Sequence, residues 1–135
     1  MRIEELYKEE LSSYEFIRYL FASLVLDGYN KIEDNELVLK LWKFKHKHPE
    51  YDDLFFCFDF RTDLSSMYSR EFDNGIITAF TFGLIYTWVP SDGYIHFNFD
   101  KEYAKKILSE TNDENIKRCF KELAQCFSKN SDKVV

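Results

Sequence analysis

The segment Val89-Pro90-Ser91-Asp92-Gly93-Tyr94 lies between two β-prone runs, 84–89 and 94–99, and it constrains this chain more than any other feature. Proline cannot donate to a strand ladder, and Asp-Gly tolerates the backbone angles of a tight reversal, so the segment predicts a hairpin with a four-residue loop. Pairing Val89 with Tyr94 sets Trp88 against Ile95, Tyr86 against Phe97 and Leu84 against Phe99 on an apolar face. The other face then carries Ile85, Thr87 and Val89 against Asn98, His96 and Tyr94.

Around this hairpin the apolar spacing is helical. Ser12 and Glu15 make a capping box, and Phe16, Ile17, Leu20, Phe21, Leu24 and Val25 form the stripe of a helix over 13–27, with Gly28 at its end. Asp34 or Asn35 is expected to cap a second helix carrying Leu37, Val38, Leu41, Trp42 and Phe44, which Pro49 stops. Asp100 is expected to cap a helix through Tyr103, Ala104, Ile107 and Leu108. Thr111 with Glu114 makes a further capping box for a last helix bearing Ile116, Cys119, Phe120, Leu123 and Phe127. Leu54, Phe56, Phe58 and Phe60 share one side of an extended chain, which predicts a strand there, and 61–70 reads as a polar connection or short helix. Over 71–83 two readings compete. Phe72, Ile76, Ala79, Phe80, Gly83 and Leu84 fit a helix stripe, whereas Ile76, Thr78, Phe80, Phe82, Leu84, Tyr86 and Trp88 alternate as one long strand.

Fourteen Phe, nine Tyr and two Trp against four Gly and two Pro in 135 residues exclude a disordered tail or a low-complexity linker. The length is that of one domain, with a frayed polar tail expected from Ser128 to Val135. The expected class is α+β: a helical domain with a small antiparallel sheet built on the hairpin. No apolar run reaches the ~20 residues of a membrane span, and Met1-Arg2-Ile3-Glu4-Glu5 lacks the layout of a secretion signal. A cytoplasmic setting is expected, in keeping with an odd number of scattered cysteines (Cys57, Cys119, Cys126).

Helix, hairpin and following helix, carried by Phe72 to Phe99 and then Tyr103, Ala104, Ile107 and Leu108, resemble the winged-helix arrangement. That resemblance implies a recognition helix leading into a wing. Glu71 to Phe82 offers no Lys or Arg, two acids (Glu71, Asp73) and one amide (Asn74), a composition unlike that of a helix reading DNA. Residues 1–100 carry 18 acidic and 10 basic side chains, which opposes nonspecific affinity for phosphate. The exception is Lys40, Lys43 and Lys47, which recur at helical spacing beside Lys45, His46 and His48. They are the candidate nucleic-acid contact, and equally the solvated last turns of a helix whose dipole favours cations.

Other chemistry is scarce. His46 and His48 would point about 200° apart on a helix, and Cys119 with Cys126 sits on the apolar face, so no metal site is expected. Four scattered glycines make no phosphate loop, no nucleophile elbow accompanies a serine, and no cofactor is expected. Asp59 interrupts an apolar run. A salt bridge to Arg61 or Arg70 accounts for it more simply than a catalytic carboxylate, whose partners would come from Asp52, Asp53 and Asp63. What remains is surface: Trp88, Pro90, Tyr94 and His96 as candidate partner-binding residues on the hairpin, and Phe120, Leu123 and Phe127 as either a core or a homodimer seam. The function expected is a non-enzymatic protein-interaction or regulatory module. Its rivals are a winged-helix DNA-binding regulator using the Lys40 to Lys47 face and an enzyme with an unadvertised carboxylate site.

Overall fold

The structure, a computed structural model, describes residues 11–55, 58, 60–63, 66–86 and 93–127. In chain order it contains α1 (Ser13–Leu26), β1 (Lys31–Glu33), α2 (Asp34–Lys47), a 3-10 helix (Pro49–Phe55), β2 (Arg61–Asp63), β3 (Ser66–Tyr68), α3 (Arg70–Thr81), β4 (Ile85–Tyr86), β5 (Tyr94–Phe97), α4 (Lys101–Leu108) and α5 (Glu114–Phe127). The fold is α+β, with helices around a three-stranded antiparallel sheet in the order β1-β5-β4.

Helix α1 is the axis of the core. It is apolar nearly all round, with Phe16, Ile17, Leu20, Phe21, Ala22 and Leu24 fully buried, and it packs chiefly against α3 and α4, then α5. The Ser12 hydroxyl accepts the Glu15 amide and donates to the Glu15 carboxylate, both at 3.1 Å. At the other end Gly28, at φ 101°, lets its own N–H reach Val25 O and that of Tyr29 reach Leu24 O, a Schellman closure that non-glycine residues adopt only with strain. Phe16 is the aromatic hub, with ring centroids 5.0 Å from Phe55 and 4.8 Å from both Phe58 and Phe120. Helix α3 approaches α1 closely at Gly75, where an added Cβ would collide with Ile17 Cδ1 and lie 3.0 Å from Ser13 O.

Several expectations are corrected. Residues 49–55 form a 3-10 helix in place of the start of a strand. Tyr51, Leu54 and Phe55 are buried and the Phe58 N–H bonds to Phe55 O, so Phe55, outside the alternating set of the expected strand, is core together with Leu54 and Phe58, while Phe56 lies outside the described residues. Arg61–Asp63 and Ser66–Tyr68 pair as a small second sheet where a connection or helix was expected. Helix α2 starts at Asp34, with Glu33 at its cap position. Helix α5 is capped by Asp113, whose carboxylate accepts the amides of Asn115 (2.8 Å) and Ile116 (3.4 Å), while Thr111 accepts the Asp113 amide.

The competition over 71–83 is resolved as helix. Ser69 caps α3 by accepting the Phe72 amide, and Gly83 (φ 80°) closes it through Gly83 N–H to Phe80 O and Leu84 N–H to Ala79 O. This cap also explains the corrected hairpin register. Leu84 is buried as the apolar residue that follows the capping glycine, and Ile85 is buried again as the first strand residue, so the alternation restarts. Ile85 therefore pairs with Phe97 and Tyr86 with His96, one residue away from the expected pairing of Tyr86 with Phe97. On β5 the expected sides hold: Ile95 and Phe97 face the core with Ile32 and Ile85, and Tyr94 and His96 face outward. The expected pairs that involve Trp88 and Val89 lie outside the described residues, as do Pro90, Cys57, Asp59 and the tail from Ser128.

Phe120, Leu123 and Phe127 are buried in the chain's own core. Among the described residues no helix is long and apolar enough to cross a membrane.

Candidate interaction surface

Because α3 buries Phe72, Gly75 and Ala79 against α1, geometry turns Asp73, Asn74, Ile77, Phe80 and Thr81 outward. Ile77 is 62%, Phe80 54% and Phe82 67% exposed. Of the six large apolar side chains exposed among the described residues, only Leu39 lies outside the stretch from Ile77 to Tyr103. Asp73 and Asn74 wet the first half of this face, whereas the threonines of its second half do little. The Thr78 hydroxyl donates to Asn74 O (2.9 Å) and the Thr81 hydroxyl to Ile77 O (2.8 Å), so both bond back to their own helix.

The apolar exposure continues past the helix. The Phe82 ring meets Tyr14 at 5.4 Å, and Phe82, Phe99 and Tyr103 line a shallow hollow of about 330 Å³ together with Leu84 and the polar Asn98 and Asp100. Burial raises the Tyr14 pKa, partly offset by the charge of Arg18. On the outer face of the sheet Tyr86 stacks on His96, and the Lys31 ammonium lies 4.3 Å from the centre of the Tyr94 ring. Tyr94 and His96, two of the four residues singled out on the hairpin, therefore share a face. Tyr86, assigned to the core by the slipped register, joins them.

Sequence reasoning missed Ile77, Phe80 and Phe82 as surface residues. A signal was present: at about 100° per residue, Ile77 falls about 140° from Phe72 and so opposite the buried stripe. Phe80 was placed in the stripe although it lies on its flank.

The lysine face is divided among several roles. Lys43 and Lys47 are exposed one turn apart, whereas Lys40 is half-buried with its ammonium 4.9 Å from the centre of the Phe127 ring. Lys45 lies 3.9 Å from the Asp52 carboxylate. His46 lies in the last turn of α2 and His48 just past its end, and the two rings make separate contacts. The Nδ1 of His46 bonds the Trp42 carbonyl at 2.9 Å, and that of His48 meets the Glu50 carboxylate at 2.8 Å.

A polar cluster that the sequence did not suggest surrounds His48. The buried Tyr51 donates to Glu122 (2.9 Å) and accepts from Arg118 Nε (3.0 Å), whose other nitrogen reaches Asn115 (2.8 Å). Burial, then the Glu122 carboxylate, raises the Tyr51 pKa. Cys119, beneath this cluster, is a free buried thiol whose pKa is pushed far up by desolvation, which makes it a poor nucleophile.

No family model, curated protein or solved structure matches this chain.

Proposed function

We propose that this domain is a non-enzymatic protein-interaction module that docks a partner on the outer face of α3 and the adjoining sheet, through Ile77, Phe80, Phe82 and Tyr86 with Tyr94 and His96. The carrying observation is the concentration of three large side chains, each more than half exposed, within residues 77–82. The core-facing positions of α3 are Phe72, Gly75 and Ala79, so Ile77 and Phe80 are not needed to bury it, and clustered exposed apolar groups mark interaction sites. Glu71 and Asp73 lie in the first turn of the same helix, and the chain carries a net charge of −6. The partner that fits is a protein segment bearing apolar anchors flanked by Lys or Arg. Trp88 and Pro90 remain part of this proposal on sequence grounds, as does a cytoplasmic setting.

The second reading keeps the winged-helix likeness and has the exposed Lys43 and Lys47, with Lys40, contact DNA. Against it, the helix that would enter the groove presents Asp73, Ile77 and Phe80. Panning the intact protein against a random peptide library distinguishes the two. Enrichment of basic peptides with aromatic or aliphatic anchors, abolished by Phe80→Glu with Phe82→Glu at unchanged melting temperature, supports the module. Duplex DNA binding lost in Lys43→Glu and Lys47→Glu, or no peptide selection at all, defeats it.

A further inference from the structure

We propose that His48, Glu50 and Glu122 form a binding site for a zinc-like divalent cation. One imidazole nitrogen and one carboxylate oxygen from each glutamate lie within 4.8 Å of one another. The three ligands come from three elements. His48 caps the C-terminus of α2, Glu50 is the second residue of the 3-10 helix, and Glu122 lies in the second half of α5. The donor set is mixed, and its chemistry is selective: imidazole favours zinc, cobalt and nickel over magnesium and calcium, while the two carboxylates match a +2 charge.

The ligands are already oriented. The His48 ring stacks on Phe44 at 4.4 Å with planes 30° apart, which fixes its plane, and its Nδ1 already faces Glu50 Oε1 at 2.8 Å. Glu122 is held by the hydroxyl of the buried Tyr51, which is in turn held by Arg118. That is the supporting layer of hydrogen bonds that metal-ligating carboxylates require. Without an ion, the His48 imidazole meets Glu50, the Tyr51 hydroxyl donates to Glu122, and the Arg118 guanidinium is the one neighbouring cation that acts on both carboxylates among the described residues. A cation placed among the three atoms would engage both. Three protein ligands leave a coordination position open to solvent, so such a site is exchangeable and would clamp α5 to the end of α2. The arrangement was invisible in the sequence because Glu122 is 72 positions from Glu50 and its helical neighbours signal only an amphipathic face.

The test uses the full chain, reduced and treated with chelator. Zinc is titrated by calorimetry, and cobalt(II) by its visible absorption. One equivalent should bind, and His48→Ala, Glu50→Gln and Glu122→Gln should each weaken binding by roughly tenfold or more. His46→Ala, which removes the neighbouring surface histidine, should leave the affinity unchanged. The cobalt spectrum should lack sulfur-to-metal charge-transfer bands. Glu50 is exposed, so Glu50→Gln keeps the test decisive if the His48 variant fails to fold. Non-saturating binding, binding that survives both glutamine variants, loss on His46→Ala, or thiolate bands would each overturn the site.

Discussion

Tyr86 lies directly across the sheet from His96, with ring centroids 5.1 Å apart and planes within 13° of parallel, on the outer face of the β4–β5 pair. Its neighbour Ile85 points the opposite way into the core, opposite Phe97. The two residues therefore make a direct test of register. Ile85→Ala, at 2% exposure, should cost about 2–5 kcal/mol in urea unfolding. Tyr86→Ala, at 38% exposure, should cost less than about 1.5 kcal/mol. The reverse order would restore the one-residue slip.

Gly75 sets the distance between α1 and α3. Gly75→Ala gains helix propensity of up to about 1 kcal/mol but drives a methyl into Ile17 and toward Ser13 O, an overpacking that costs about 1–3 kcal/mol. A net loss is expected. Ile17→Val removes the Cδ1 that the methyl would strike, so the double variant should be more stable than the sum of the single losses predicts. Strict additivity would mean that the two helices separate instead of colliding.

Arg18 holds Glu110 in a bidentate pair at 2.6 and 2.9 Å, joining α1 to the turn after α4. That hydrogen bond keeps the Glu110 carboxyl below its ordinary pKa. A depressed pKa means that the folded state binds fewer protons than the unfolded chain between the two values. The pair's contribution is thus complete above the ordinary carboxylate pKa and is lost as pH falls through the folded one. With Glu110 nearly half exposed, the effect is about 0.5–1 kcal/mol. Glu110→Gln should be less stable than the wild type near neutrality and should converge with it in acid. A gap that persisted in acid would show a packing effect instead.

Burial of Cys119 should make it inert in the folded protein. A thiol reagent applied under native conditions should leave Cys119 unmodified and label it at once in denaturant, as peptide mapping would report. Reductant should not change the melting temperature, since neither Cys119 nor Cys126 is in a disulfide. Rapid native labelling of Cys119 would require local opening of α5.

The sequence was most legible where a residue answers to its immediate neighbours. Ser12 and Asp100 cap, Gly28 closes and Pro49 stops because each satisfies or removes a backbone group within a few positions. Legibility failed where the partner is distant or the period is ambiguous. Lys31–Glu33 becomes a strand only by pairing with residues 94–96, and nothing local announces it. Phe55 and Phe58 both pack on Phe16, a contact with a residue about forty positions away that no local pattern around Leu54 announces. The hairpin itself was readable, but its register depended on whether Leu84 belonged to the helix cap or to the strand. The candidate surface follows the same rule: alternation along β5 places Tyr94 and His96 outward, whereas the side taken by Tyr86 depends on the restart of the strand at Ile85, and that of Phe80 on its place at the flank of the buried stripe.

Asn98 joins these parts in a way that bears on recognition. Its backbone N–H bonds Leu84 O and its side chain bonds Gly83 O, both at 2.9 Å, so the last turn of α3 is pegged to the end of β5. Two residues on, Asp100 caps α4 by accepting the Tyr103 amide. Phe82 and Tyr103 are thereby mounted on one braced frame and do not sit on separate loops. For the docking proposed above, such a frame would leave little backbone freedom to quench, and the residence time of a partner would depend on the fit of its anchors and not on ordering the surface that receives them.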